Sequence, residues 1–244
     1  MKRIPIKLGS YTIHLRTIVT GTRQPVVLVH GLGVSGTYFL PFAKELSQQY
    51  DVYIIDLPGY GKTPKPPRVL TIPELAGLVA SFIKTQNLPE VIAIGQSMGC
   101  QIVAQACVTH PTLFKKAVLL APTVNDKERS VRTQALRLLQ DTFHEPLPVT
   151  GIVLSDYLRM GITRYLTTSR YMVEDHIEDT LKDCLVPIHI VRGRQDKIVP
   201  HDWFTLLSHL SAVQQATEMP NAPHLLHYKK PKELMHLCRQ FIEN

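Results

Sequence analysis

Seven short runs rich in β-branched and apolar residues punctuate the chain, most of them separated by a stretch of helical pattern. The runs are Tyr11–Val19, Val26–His30, Val52–Ile55, Val91–Gly95, Ala117–Leu120, Ile188–Arg192 and Gln214–Glu218. Helical patterning covers Phe39–Gln48, Ile72–Thr85, Met98–Thr109, His201–Leu210 and Pro231–Ile242. Continuously apolar strands must be buried on both faces, and the intervening helices supply the cover. The pattern therefore predicts an α/β protein on a mostly parallel, doubly wound sheet. No helix separates the first two runs, so the N-terminal edge is expected to be antiparallel.

The alternation pauses between Pro122 and Asp183, where the pattern is mixed and helix-leaning and is punctuated by Pro146, Pro148 and Gly151. A structureless loop of that length is uncommon inside a compact domain. The stretch 123–183 is therefore expected to be a helical insertion, a lid over a core formed by 1–122 and 184–244.

A chain of 244 residues can bury one large core. The N-terminus is charged but lacks an apolar signal region, and no window reaches the length of a membrane span. Cys100, Cys107, Cys184 and Cys238 form no C-x-x-C pair. Cys100 and Cys107 share a helix face but are about 10 Å apart along it, too far to bridge. A soluble cytoplasmic protein is expected, with no metal and no cofactor. The net charge is +7, yet the basic residues are scattered and not interleaved with aromatics. They read as a solvated surface rather than a nucleic-acid or membrane footprint; steering of a small anionic substrate stays open.

Gly95-Gln96-Ser97-Met98-Gly99 fits G-x-S-x-G, directly after the run Val91–Ile94 and before a helix. A sharp strand-to-helix turn strains the serine and leaves room only for small neighbours, which is why glycines flank it. It also aims the first amides of the helix at a developing oxyanion.

Here the chain resembles the α/β-hydrolase superfamily, in its serine-nucleophile branch, over nearly its whole length. Val27-Leu28-Val29-His30-Gly31-Leu32-Gly33 is similar to the family's H-G-x segment, and Asp56-Leu57-Pro58-Gly59-Tyr60-Gly61 to its D-x-P-G-x-G turn. Pro187–Pro200 is similar to the late P-x-x-x-x-x-G-x-x-D-x-x-x-P signature, and Asn221-Ala222-Pro223-His224 supplies a histidine after the next strand. The resemblance implies the α/β-hydrolase fold with a helical lid insertion. It also implies an oxyanion hole from the backbone N–H groups of Leu32 and Met98. Ser97 would be the nucleophile, His224 the base and Asp196 the orienting acid. His227 is a rival base and Asp126 a rival acid, because some members place the acid after the sixth strand.

A serine nucleophile points to acyl transfer on a small-molecule ester, thioester, lactone, amide or activated C–C bond, with carboxylesterases and enol-lactonases the closer resemblance. C–C hydrolases of this fold typically carry an aromatic residue after the histidine, where Leu225 stands here. Within the insertion, Phe143, Leu147, Ile152, Leu154, Tyr157, Leu158 and Met160 are candidates for an apolar pocket. Arg159 and Arg164 are candidates to meet a substrate carboxylate, and Trp203 reads as packing. Two other readings remain: a catalytically silent binding protein, and a dinucleotide site at Gly31-Leu32-Gly33-Val34-Ser35-Gly36 with Asp56 as its acid. The second leaves Ser97, Asp196 and His224 unexplained.

Overall fold

The apolar runs become strands because only a sheet pairs their backbone groups while burying both rows of side chains. In the computed structural model, which describes residues 3–142 and 147–244, these are β1 (Arg3–Leu8), β2 (Tyr11–Ile18), β3 (Pro25–Val29), β4 (Asp51–Asp56), β5 (Val91–Gln96), β6 (Phe114–Leu120), β7 (Ile188–Gly193) and β8 (Val213–Met219). They form one sheet in the order β1-β2-β4-β3-β5-β6-β7-β8. β2 pairs antiparallel with both β1 and β4, and all pairings from β4 through β8 are parallel. Every residue of β3 and of β5 is buried. The fold class and the antiparallel N-terminal edge are as the sequence pattern predicts.

β1 lies outside the expected strands. Pro5 and Lys7 interrupt its apolar pattern, but an edge strand leaves one row of backbone groups free and tolerates proline there.

The helices are α1 (Leu40–Leu46), α2 (Ile72–Thr85), α3 (Met98–Thr109), α4 (Val131–Thr142), α5 (Leu147–Met160), α6 (Ile162–Glu174), α7 (Ile177–Lys182), α8 (His201–Ser208), α9 (Leu226–Lys229) and α10 (Pro231–Glu243). The start of α2 is fixed by a capping box, in which the Thr71 amide donates to Glu74 Oε2 at 2.9 Å. α1 packs with α9 and α10, while α2 packs with α3 and α3 with α7. Between β6 and β7, within the stretch expected to be an insertion, the chain forms α4 to α7. There α5 rests on a 3-10 turn at Gly36–Phe39 that follows β3. Trp203 is buried and donates from Nε1 to Pro122 O at 2.9 Å. Among the described residues, no helix is long and apolar enough to cross a membrane.

The chain steps from β3 outward to β4 and then crosses back over β3 to β5. Such a reversal opens a crevice at the carboxyl ends of the two strands. The loops after β3 and β5 meet there.

Candidate active site

Ser97 sits between the last residue of β5 and the first of α3, with φ 55° and ψ −122°. A non-glycine residue rarely adopts this backbone, so surrounding contacts must hold it. The Ser97 amide donates to Leu120 O at 3.0 Å, tying the turn to β6. The flanking glycines are sterically required. A Cβ at Gly95 would lie 2.3 Å from Gly99 O, and one at Gly99 would lie 2.2 Å from Val29 O. Strand, helix and the neighbouring β3 are thus in backbone contact at this point, which explains the motif without reference to chemistry.

The loop after β3 is held from the core. His30 is fully buried; its Nε2 accepts from the Leu57 amide at 3.1 Å, which leaves Nδ1 to donate to Gly31 O at 2.9 Å. Those two partners select one tautomer, and burial lowers the pKa of the ring. Asp56 is equally buried and is clamped by Arg16 at 2.7 Å, Arg3 at 3.2 Å and the Gly36 amide at 2.8 Å. The acid of the alternative dinucleotide reading is thereby engaged inside the fold. The Gly31 amide donates to the Tyr38 hydroxyl at 2.8 Å, and that hydroxyl donates to Gln96 Oε1 at 2.8 Å. Leu32 is thus close in sequence to one end of a buried bridge and Ser97 to the other. Neither the Leu32 nor the Met98 amide has a protein acceptor among the described residues.

The two remaining predicted residues meet across separate loops. Asp196 Oδ1 accepts from the amides of Ile198 at 2.8 Å and Val199 at 3.0 Å, and Oδ2 faces His224 Nδ1 at 2.8 Å. Both side chains are buried. Their loops are stitched together by Gln195 N to Ala222 O at 3.0 Å and by Arg194 N to Met219 O at 2.9 Å. A Cβ at Gly193 would come 2.1 Å from Ala222 O, so glycine is needed for this approach. Asn221, three residues before His224, takes a left-handed backbone that asparagine tolerates.

The rivals lie elsewhere. Asp126 is exposed on the turn Asp126–Glu128. His227 is fully buried, with its ring 4.5 Å from that of Tyr38 and 4.6 Å from that of Phe39. Among the described residues neither ring nitrogen of His227 has a hydrogen-bond partner, and burial pushes its pKa down to about 3. It is a neutral core residue.

Ser97, Leu32 and His224 open onto one cavity of about 100 Å³. No lysine, arginine, aspartate or glutamate lines it among the described residues. Val149, Thr150, Val153 and Tyr157 of α5 wall one side, and α4 (Val131, Gln134, Ala135) and α6 (Tyr165, Ser169, Met172) add further helical wall. Of the apolar candidates among the described residues, only Tyr157 lines this cavity. Leu154 and Leu158 are exposed, and Met160 is buried beside a different, smaller cavity. Ile152 is half-buried away from it. Phe143 and the side chain of Leu147 lie outside the described residues. Arg159 turns to Asp156 at 3.6 Å and Arg164 to Pro66 O, so neither reaches the cavity. The bridge Tyr38–Gln96 escapes sequence reasoning; the one signal for it is a polar residue at the variable position of the serine motif.

A model of the Alpha/beta hydrolase family matches residues 26–237. The chain is 24% identical to the pimeloyl-[acyl-carrier protein] methyl ester esterase of Pseudoalteromonas atlantica, over 76% of this chain and 81% of that protein. Among solved structures it is similar to a thermophilic esterase from Thermogutta terrifontis, with a TM-score of 0.81 and 20% identity, covering 100% of this chain and 98% of that one. It is also similar to a meta-cleavage product hydrolase, with a TM-score of 0.78 and 17% identity, covering 98% and 97% of the two chains. At those identities the structural likeness is one of fold.

Proposed function

Because the chain belongs to the alpha/beta hydrolase family, we propose that it is a serine hydrolase cleaving a small, uncharged carboxylic ester. The observation that carries this reading is the buried Asp196–His224 pair, 2.8 Å apart, at the same cavity as the strained Ser97. His224 takes the Ser97 hydroxyl proton on Nε2 as the oxygen attacks the ester carbonyl. Asp196 holds the Nδ1 proton and stabilises the imidazolium that forms. The negative oxygen of the tetrahedral intermediate is received by the Leu32 and Met98 N–H groups. The alkoxide departs with the proton from His224, leaving an acyl-Ser97, which water hydrolyses with His224 again as base.

An ester is favoured because a curated relative is a methyl ester esterase. An uncharged acyl group is favoured because no lysine or arginine among the described residues lines the cavity to offset the desolvation of a carboxylate. Helices α4 to α6 serve as a lid that sets the acyl pocket. The test is labelling with a fluorophosphonate, mapping of the adduct, and turnover of a short-chain p-nitrophenyl ester. Ser97 is expected to carry the label, and Ser97→Ala to lose both label and turnover. A mutant that still turns over the ester at the wild-type rate refutes the mechanism.

A further inference from the structure

Helix α5 touches the loop that carries the Leu32 amide at two points. Asp156 is buried, and its Oδ2 accepts from the Ser35 amide at 2.8 Å. The next residue, Tyr157, packs its ring against Gly33. A Cβ there would stand 2.2 and 2.5 Å from two ring carbons, and Gly33 has a left-handed φ of +76°. The loop from Gly31 to Ser35 belongs to no helix or strand, so its amides point wherever its contacts hold them. At Gly31 the holder is Tyr38, from the core side. At Ser35 it is Asp156, from α5. Leu32 lies between these two fixings.

A buried carboxylate is an expensive way to satisfy one amide. Its other oxygen has only the half-exposed Arg159 guanidinium, 3.6 Å away. What the acceptor secures is a fixed path for the loop. We propose that Asp156 is a positioning residue that makes the oxyanion-binding direction of the Leu32 amide depend on α5 being seated. The site then gains its full stabilisation of the tetrahedral oxyanion only while the helical wall over the cavity is in place. This inference rests on the Ser97 hydrolase reading. It concerns the transition state, because the acyl group itself is held by other residues of the cavity.

Three variants separate the possibilities. Asp156→Asn keeps an oxygen acceptor at the right length, whereas Asp156→Ala removes it and Asp156→Ser leaves one too short to reach the Ser35 amide. Rates are taken per Ser97 titrated with a fluorophosphonate, so that only folded, reactive molecules count. The Ala and Ser variants are expected to lose about tenfold in kcat, a fraction of the 10²–10³-fold that follows loss of a whole oxyanion donor, while KM stays within about twofold. Affinity for a trifluoromethyl ketone, whose hemiketal places an oxyanion in the same position, should weaken by the same factor. The Asn variant is expected to retain kcat and ketone affinity within about threefold. A short variant with wild-type kcat and ketone affinity overturns the proposal, as does an Asn variant impaired as severely as Ala. A loss confined to KM also overturns it. Should Ala not fold, Ser, which is polar and equally short, decides in its place. A wild-type protein with neither ester turnover nor Ser97 label would fell the hydrolase reading and this one together. An active, labelled wild type with indifferent variants fells this one alone.

Discussion

Replacing Tyr38 by phenylalanine removes one oxygen and leaves the ring where it is, packed 4.6 Å from Phe39 and 4.5 Å from His227. That oxygen accepts from Gly31 N and donates to Gln96 Oε1, each at 2.8 Å, and both residues are buried. Without it the buried amide and side-chain carbonyl lose their partner within the fold. A buried polar group left unpaired costs about 1–3 kcal/mol. Gln96 can recover part of its loss, because its Nε2 already approaches His224 O at 3.4 Å and the amide can reorient. A net loss of about 3 kcal/mol follows, which for a domain of this size lowers Tm by about 6–12 °C. Urea denaturation near neutral pH, followed by circular dichroism, measures the first quantity and a thermal scan the second. Activity should fall by more than the unfolded fraction explains, by about tenfold in kcat, since the bridge holds the residues that precede Leu32 and Ser97. A change below about 0.5 kcal/mol together with unchanged kcat would refute the view that this hydroxyl fixes the two loops.

Two further predictions concern pH. His227 is held neutral, with its pKa depressed to about 3 by burial. Its contribution to stability is complete above about 6.5 and is lost as pH falls towards 3, at about 1.4 kcal/mol per unit, because only the unfolded state takes up the proton. The difference in unfolding free energy between wild type and His227→Leu should follow that slope; a difference independent of pH would contradict it. Asp175 behaves in the opposite sense. Burial raises its pKa to about 6 against the pull of the Gln101 hydrogen bond and Arg129. Its favourable contribution is therefore present below about 3.8 and is lost as pH rises through 6. Asp175→Asn, which can still accept from Gln101, should gain on wild type between pH 4 and pH 7 in denaturant midpoints; no relative gain would show that the carboxyl ionises freely.

The residues readable from the sequence are those whose requirement is local. Gly95 and Gly99 are demanded by backbone contacts across a turn of a few residues, so the serine motif announces its own geometry. Asp196 and His224 follow from their order after successive strands, but order alone leaves Asp126 standing as an acid; only the 2.8 Å approach to His224 and the exposure of Asp126 separate the two. The pocket was harder to read for a reason of phase. On α5 the apolar and aromatic residues that line the cavity, Val149, Val153 and Tyr157, recur every fourth position with Thr150 beside the first, whereas Leu154 and Leu158 are more apolar but lie on the adjoining, exposed face. Hydrophobicity without phase selects the wrong side of the helix. Asp156 and Tyr38 were beyond reach altogether, since Asp156 meets Ser35 across 121 residues and Tyr38 meets Gln96 across 58, and such pairings leave no periodic trace.

A cavity whose described lining carries no lysine, arginine, aspartate or glutamate must tell its substrates apart largely by bulk. One methylene more or less in such a wall is worth about 1–3 kcal/mol, or roughly 10–200-fold in rate. Chain length is therefore graded in small steps, each adjustable by trading one side chain among Ala135, Val149 and Val153 for its neighbour in size. A carboxylate should be rejected more steeply, because an ion stripped of water meets no lysine or arginine among the described lining residues. On the proposed reading such a wall works as a sieve with a coarse mesh for length, and its preference can drift from one ester to another while Ser97, Asp196 and His224 stay as they are.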